Sequence, residues 1–546
     1  MSHCREEIPG APIAFARDGR RLHGLCRLGM LAGMAAVTAW MTACASLPDP
    51  AGRAPSQAFA NTADTRLGRA LAAGQAQHPG ASVFYPLPSG PDAFVARLAL
   101  ARGAERSLDL QYYIFDGDLT GKSLLAAVVA AADRGVRVRL LLDDLHLSGQ
   151  DRALAAIDAH PNIEVRLFNP FASRNARWLE FATDFRRLDR RMHNKSMTAD
   201  NQLTVVGGRN IGDGYFSADP ATDFSDLDVL AGGPVVREVS AVFDDYWNGP
   251  ASYPAASLLP APADAQAEVD ALRQYLVEQA VQAQGGDYAK ELLASGMAQA
   301  LEDGKLPAYW GRGTVIADMA AKVTLPPQDN ASHAIPKLAR LLDSAQRDLA
   351  LVSPYFVPDH KSIEWLAGLA RRGVRVRILT NSFAVTDVSA VHAGYAPSRR
   401  ALLAAGIDLY ELKPSAYAEM AREGHRSLIS KSRASLHAKS YMVDGHLLFV
   451  GSLNLDPRSA RLNTEMGVVL DSEALCTLLG TGLDDKLLDI AYKVMLEPGS
   501  AGEEPRLVWV TRENGLLRTY DSEPDMSALQ HVGQSLLRLL PLQDEL

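Results

Sequence analysis

Ser107-Leu-Asp-Leu-Gln-Tyr-Tyr-Ile-Phe115 and, 241 residues later, Asp348-Leu-Ala-Leu-Val-Ser-Pro-Tyr-Phe356 decide the fold of this chain. Each is a short apolar run of the kind that forms a buried strand. Residues at helical spacing follow both, Leu124, Leu125, Val128 and Val129 in one case, Ile363, Leu366, Leu369 and Ala370 in the other. Each then gives way to a near-identical third piece, Arg134-Gly-Val-Arg-Val-Arg-Leu-Leu-Leu142 and Arg372-Gly-Val-Arg-Val-Arg-Ile-Leu379. Gly135 and Gly373 stand where a helix C-terminus wants a residue at ease with positive φ. Strand, helix and strand form a βαβ unit, whose right-handed crossover makes the two strands a parallel pair. Two copies in one chain predict an α/β protein of two domains related by a pseudo-twofold axis.

Working outward, each half ends in the same constellation. The first is His193-Asn194-Lys195, Asp200 and Gly207-Gly208-Arg209-Asn210; the second is His437-Ala438-Lys439, Asp444 and Gly451-Ser452-Leu453-Asn454. His193 and His437 are 244 residues apart, as are Asn210 and Asn454. Residues two apart in a strand share a face, so each histidine points with its lysine. Asp200 precedes Asn201 and Asp444 precedes Gly445, pairs that read as hairpin turns fixing register. Returning strands at 203–206 and 447–450 then deliver a small residue, Gly207 or Gly451, and the asparagine amide. Two lysines and two amides offset the charge on a phosphodiester's non-bridging oxygens. One histidine can attack phosphorus and the other protonate the leaving oxygen, because imidazole titrates near neutrality. A lone His-x-Lys says little; two matched copies, each after a matched βαβ unit, are specific.

These motifs resemble the signature of the phospholipase D superfamily over roughly residues 82 to 495. The resemblance implies two phospholipase D-like sandwich domains meeting at one shared active site, no metal or other cofactor, and a phosphohistidine intermediate. It makes His193 the nucleophile and His437 the acid. It also implies an acid that orients each histidine, matched by Asp226 in Phe224-Ser-Asp226 and Glu465 in Asn463-Thr-Glu465, with Asp228 a competitor on the same strand face. Gly208 stands where the pattern usually has serine, so only Ser452 is expected to donate a hydroxyl to phosphate. Phe84-Tyr-Pro-Leu87, Leu108–Phe115, Gly207–Gly212 and the stretch from Thr380 to His392-Ala-Gly-Tyr395 resemble the bacterial cardiolipin synthase C group. That likeness implies a phosphatidyltransferase joining phosphatidylglycerol to a second phospholipid, such as phosphatidylethanolamine, with membrane phospholipids as its partners. His392 and Tyr395 are pocket candidates; Asp143-Asp144 reads as a helix cap.

The remaining sequence sets the boundaries. Residues 1–27 carry five arginines and three acids, 28–43 are uncharged and mostly apolar, and Met41-Thr42-Ala43 precedes Cys44. Basic, apolar, small is a secretory leader, and a cysteine at its end resembles the bacterial lipobox, so Cys44 is the expected lipidation site. An uncleaved anchor is the alternative, since 28–48 is just long enough to span a bilayer, although Gly29, Gly33 and Pro48 suit a span poorly. The expected layout is a signal peptide at 1–43, a linker at 44–81, domain 1 at 82–249, a partly helical connector at 250–335, domain 2 at 336–498 and an appendage at 499–546. In that appendage 535–540 is a short apolar patch. The expected location is the periplasmic face of a bacterial membrane. Only Cys476 lies in the body, which excludes a disulfide framework or a zinc site of several cysteines there. A net charge of −9 disfavours nucleic acid as a partner. Hydrolysis by the same machinery, and a non-catalytic headgroup-binding lipoprotein, are the competing functions. An acid–base pair is superfluous in a binding module.

Overall fold

The structure is a computed structural model that describes residues 47–49, 53–219, 222–414, 433–480, 483–499 and 504–526. The expected leader, Cys44 and the apolar patch at 535–540 lie outside the described residues. Among the described residues no helix is long and apolar enough to cross a membrane.

Two sheets are built on one plan. Neighbouring strands in the first run Ser82–Leu87, Asp228–Gly232, Leu203–Gly207, Ser196–Ala199, Ser107–Tyr112, Arg137–Asp143, Ile163–Phe168 and Ser252–Pro254. In the second they run Tyr309–Ala317, Met466–Asp471, Leu447–Gly451, Lys439–Val443, Asp348–Val352, Arg375–Asn381, Asp408–Leu412 and Ala491–Glu497. The fifth to seventh strands of each are mutually parallel and every other pairing is antiparallel. The helices Leu119–Asp133 and His360–Arg371 make the first crossovers. Ser107–Tyr112 is buried at every residue, as a parallel strand covered on both faces must be. Its Leu108 and Leu110 share a core with Leu124, Val128, Val138 and Leu140. A separate apolar cluster joins the halves, with Phe84, Val206, Val229 and Val235 of the first against Leu448, Val450, Val468 and Cys476 of the second.

Three expected boundaries shift. The connector's final part is not loose, because Tyr309–Ala317 pairs with both Ser82–Leu87 and Met466–Asp471 and so bridges the sheets. The linker contains the helix Arg66–Gln77, and Arg53 donates to the Gly249, Pro250 and Ser252 carbonyls of domain 1. The appendage extends the second sheet through Arg506–Glu513 and Leu516–Tyr520. These strands escape a reading of periodicity because sheet edges alternate weakly.

Candidate active site

Each histidine follows backbone that pairs with the opposite half. Thr222–Ser225 pairs in parallel with Arg433–Leu436, and Met192 bridges to Thr464. The His193 amide donates to the Thr464 carbonyl and the His437 amide to that of Ser225. Each histidine is therefore clamped by backbone of the opposite half. The ring pairings follow suit: His193 Nδ1 lies 2.9 Å from Glu465 Oε2, and His437 Nδ1 lies 2.6 Å from Asp226 Oδ2. With Nδ1–H committed to a carboxylate, a neutral ring presents its Nε2 lone pair. Asp228, the competitor, is buried in an ion pair with Arg97 at 2.8 Å and reaches neither histidine.

The two lysines behave alike. Lys195 Nζ donates to the His193 carbonyl and Lys439 Nζ to that of His437. Burial pushes Lys195 down to about 7, with Lys439 adding to the shift and Glu465 opposing it. Lys439 moves the same way. Burial pushes His193 down to about 4 against the pull of Glu465, with Lys195 and Lys439 contributing. His437 is lowered too, by burial, then Lys439, and by Lys195 from the other half. Each lysine thus acts on the histidine of the other half, which marks one shared site whose cationic groups suit an anion. Burial alone would raise both carboxyls, but His437 and Lys439 hold Asp226 at about 2, and His193 and Lys195 hold Glu465 below its ordinary value.

Asn210 donates to the Tyr215 hydroxyl at 2.9 Å and accepts from the Ile114 amide. Asn454 is also buried, and its Oδ1 has no hydrogen-bond partner among the described residues. Ser452 differs from expectation. Its hydroxyl donates to Glu465 Oε2 at 2.5 Å, so its proton already serves the acid rather than a phosphate oxygen. Ser459, which the motif reading missed, donates to Glu465 Oε1 at 2.8 Å, and the Glu465 amide donates to buried Asp318. In the first half a Cβ on Gly208 would sit 2.3 Å from Asp226 Oδ1. The missing serine is thus the room that Asp226 occupies.

Asp200 and Asp444 do more than turn the chain. Asp200 and Asn201 have φ of 53° and 50°, Asp444 and Gly445 of 52° and 73°. The Asp200 carboxylate also accepts from the amides of Glu105, Arg106 and Ser107, and Asp444 from those of Gln346, Arg347 and Asp348. Each carboxylate caps the start of the strand that opens its βαβ unit. Asp143 and Asp144 cap no helix. Asp143 binds Arg191 and the Met192 amide, and Asp144 binds Arg174 and Arg177, so both fasten the segment that leads to His193.

His392 and Tyr395 line a small closed pocket with Thr380, Asn381 and Val391. They join a buried cluster in which Arg399 binds Glu411, Glu523 and the His392 ring, and Tyr395 donates to Glu411 at 2.7 Å. His392, Glu411 and Glu523 place ligand-type atoms within 4.8 Å of one another, but the Arg399 guanidinium already bonds to all three. Sequence reading also missed the aromatic walls. Tyr113 packs edge-on to His193 at 5.1 Å, and Tyr215 and Phe224 pack on His437 at 5.3 and 5.4 Å. Tyr113 stands directly after a parallel strand, where ligands gather in α/β sheets. Beyond Tyr215 and Phe224 opens a cavity of about 390 Å³ lined by Asp116, Asp118, Asp213 and Asp219.

Paired imidazoles, each braced across the interface and flanked by a buried lysine, define a site able to pass a phosphoryl group from one oxygen to another by two in-line displacements. The chain belongs to the family described as cardiolipin synthase, phospholipase D-like domain, whose model matches residues 98–247 and 338–484. It is 41% identical over 486 residues to cardiolipin synthase C of Escherichia coli K12, covering 88% of this chain and 99% of that one. An uncharacterized Helicobacter pylori J99 protein is 30% identical over 480 residues, 87% of this chain and 92% of that one. The crystal structure of a phosphatidylserine synthase from Haemophilus influenzae superposes with a TM-score of 0.53 at 14% identity, over 88% of this chain and all of that one, a likeness of fold.

Proposed function

We propose that the chain is a phosphatidyltransferase that makes cardiolipin from phosphatidylglycerol and a second phospholipid. The observation that carries this reading is the crossed pair, His193 with Glu465 and His437 with Asp226, within a lysine-flanked site. His193 Nε2 attacks the phosphorus of a phosphatidyl headgroup. The bond from phosphorus to the headgroup oxygen breaks, and His437 gives that oxygen its proton. The neutral His437 then removes a proton from a glycerol hydroxyl of phosphatidylglycerol, whose oxygen displaces His193 and yields cardiolipin. Lys195, Lys439, Asn210 and Asn454 hold the non-bridging oxygens. The acidic cavity beside His437 suits an ammonium-bearing leaving headgroup, as in phosphatidylethanolamine. Its kinship to cardiolipin synthase C supports transfer over hydrolysis. A leader ending at Cys44 supports acylation there and residence at the periplasmic face of a bacterial membrane.

Expression in a host lacking cardiolipin, followed by lipid mass spectrometry, tests the reading. Cardiolipin should accumulate with the wild-type chain and not with His193→Ala. Accumulation of phosphatidic acid alone would make the protein a hydrolase. For the tether, Cys44→Ser should abolish labelling by a fatty-acid probe and leave precursor uncleaved. Equal labelling of both proteins removes the acylation claim.

A further inference from the structure

The segment between Ile163–Phe168 and His193 turns apolar side chains outward. Its two short helices, Arg177–Thr183 and Phe185–Leu188, pair Arg177, Glu180 and Arg187 with neighbouring groups and leave Arg186 exposed. Arg177 binds Asp144, and Glu180 accepts from the Ala172 and Ser173 amides and from Arg187. Outward stand Trp178, 76% exposed, with Leu179 and Phe185, 39% and 42% exposed. Trp178 and Leu179 lie on the first of these helices, and Phe185 opens the second just after the break at Asp184. Scattered exposed apolar side chains are ordinary, but three within eight residues, among charges that are mostly paired, are not. Arg186, exposed beside Phe185, completes the edge. The segment is no floppy loop, because Phe181 packs between Phe171 and Phe185 and Arg174 and Arg177 fasten it to Asp144. Asp144 follows the strand Arg137–Asp143, so the segment hangs from the edge of the parallel strands that carries Tyr113 beside His193.

We propose that this face docks on an anionic lipid surface, with Trp178, Leu179 and Phe185 entering the headgroup boundary and Arg186 meeting its negative charge. Tryptophan and phenylalanine beside arginine suit that boundary, and each basic residue near an anionic leaflet adds to binding. The ordering is useful because the docked helix ends five residues before His193, which brings the site to the depth of the headgroups it is to attack. This inference rests on the lipid-substrate reading above and adds the surface that presents the lipid.

The test compares bilayers with dissolved substrate, using the full chain. Turnover of phosphatidylglycerol in vesicles should fall about tenfold in Trp178→Ser/Phe185→Ser, while turnover of a short-chain phosphatidylglycerol below its micellar concentration stays within twofold. Arg186→Glu should lower vesicle turnover by a factor that grows as the anionic share of the bilayer is raised. Brominated acyl chains should quench wild-type tryptophan emission more than that of Trp178→Phe. Equal loss on both substrates, no loss on either, or equal quenching overturns the proposal, as does sedimentation showing that this face joins two copies of the chain. Were the wild type inactive on every lipid, the phosphatidyltransferase reading would fail, and quenching would still decide whether the face meets lipid.

Discussion

The two halves carry the same histidine, lysine and asparagine at the same spacing but brace their partners' rings differently. Glu465 shares its oxygens among His193, Ser452 and Ser459. Asp226 is one methylene shorter, accepts from the Leu227 amide and His437, and fills the space left by Gly208. Two hydroxyl donors draw charge from Glu465 and weaken its pull on the Nδ1–H of His193. Among the described residues no hydroxyl donates to Asp226, which grips His437 at 2.6 Å. A duplicated site has thus become unequal through its carboxylates. The half with the diluted acid holds the ring that stays neutral, as the proposed nucleophile must. The half with the undiluted acid holds the ring better fitted to carry a proton.

The largest expected effect is loss of either histidine. His193→Ala and His437→Ala should each cost at least about 10³-fold in rate, and the double variant little more, since the pair acts as a unit. The halves should separate on a phosphodiester with a p-nitrophenolate leaving group, which leaves without a proton. His437→Ala should recover most of its rate in the initial burst of p-nitrophenolate, before its base role is needed, and His193→Ala none. Equal recovery by both would erase the asymmetry. Next is Gly208→Ser, which makes the first half formally match the second. Its Cβ meets Asp226 Oδ1, so the acid must move away from His437. We expect about 10²-fold lower turnover in a folded protein, the scale of a misdirected acid–base group. A fully active Gly208→Ser enzyme would show that Asp226 has room to spare.

The halves also differ in stability. Asp200 is fully buried while Asp444 lies nearer solvent, although both accept from three amides. Asparagine keeps the turn but swaps one acceptor oxygen for a donor facing those amides. Asp200→Asn should cost about 1–3 kcal/mol, the scale of an unmet buried polar group, and Asp444→Asn less. Urea melts of the two variants check the order. Equal midpoints would reduce both aspartates to simple turn residues.

What the sequence could yield tracks how local each feature is. The βαβ repeat, the hairpins and the two His-Lys-Asn sets are written in short spacings, and they stand where those spacings put them in the chain. The exchange of acids between halves is not, because no spacing says which histidine Glu465 will meet. Ser452 misled for the same reason: its hydroxyl direction depends on an acid 13 residues away. His392 and Tyr395 do line a small pocket, but their tie to Glu523 was not legible, because that acid comes from a stretch with little periodic signal. Nor does any local spacing say that Tyr309–Ala317 will pair with both Ser82–Leu87 and Met466–Asp471 and so join the two sheets.

The smallest expected effect is the sharpest probe of the difference between halves. Ser452→Ala removes one donor from Glu465 and leaves Ser459, so turnover at neutral pH should fall by less than about tenfold. Its signature lies in the pH profile. The acid limb of kcat/KM reports the free enzyme, where His193 must be neutral to attack. That ring is held at about 4, so the wild-type limb should lie well below an ordinary imidazole's. Without the serine hydroxyl, more charge stays on Glu465, the imidazolium gains stability, and the limb should move upward. The sign carries over to folding: a histidine whose folded pKa is depressed leaves the unfolded state binding more protons between about 4 and 6.5, so wild-type stability rises with pH across that window. Ser452→Ala should flatten that rise, whereas Gly208, with no hydroxyl to lose, offers no counterpart in the first half. An acid limb that stays in place in a folded Ser452→Ala enzyme would mean that Glu465 braces His193 without tuning it, and the two halves would then differ in shape alone.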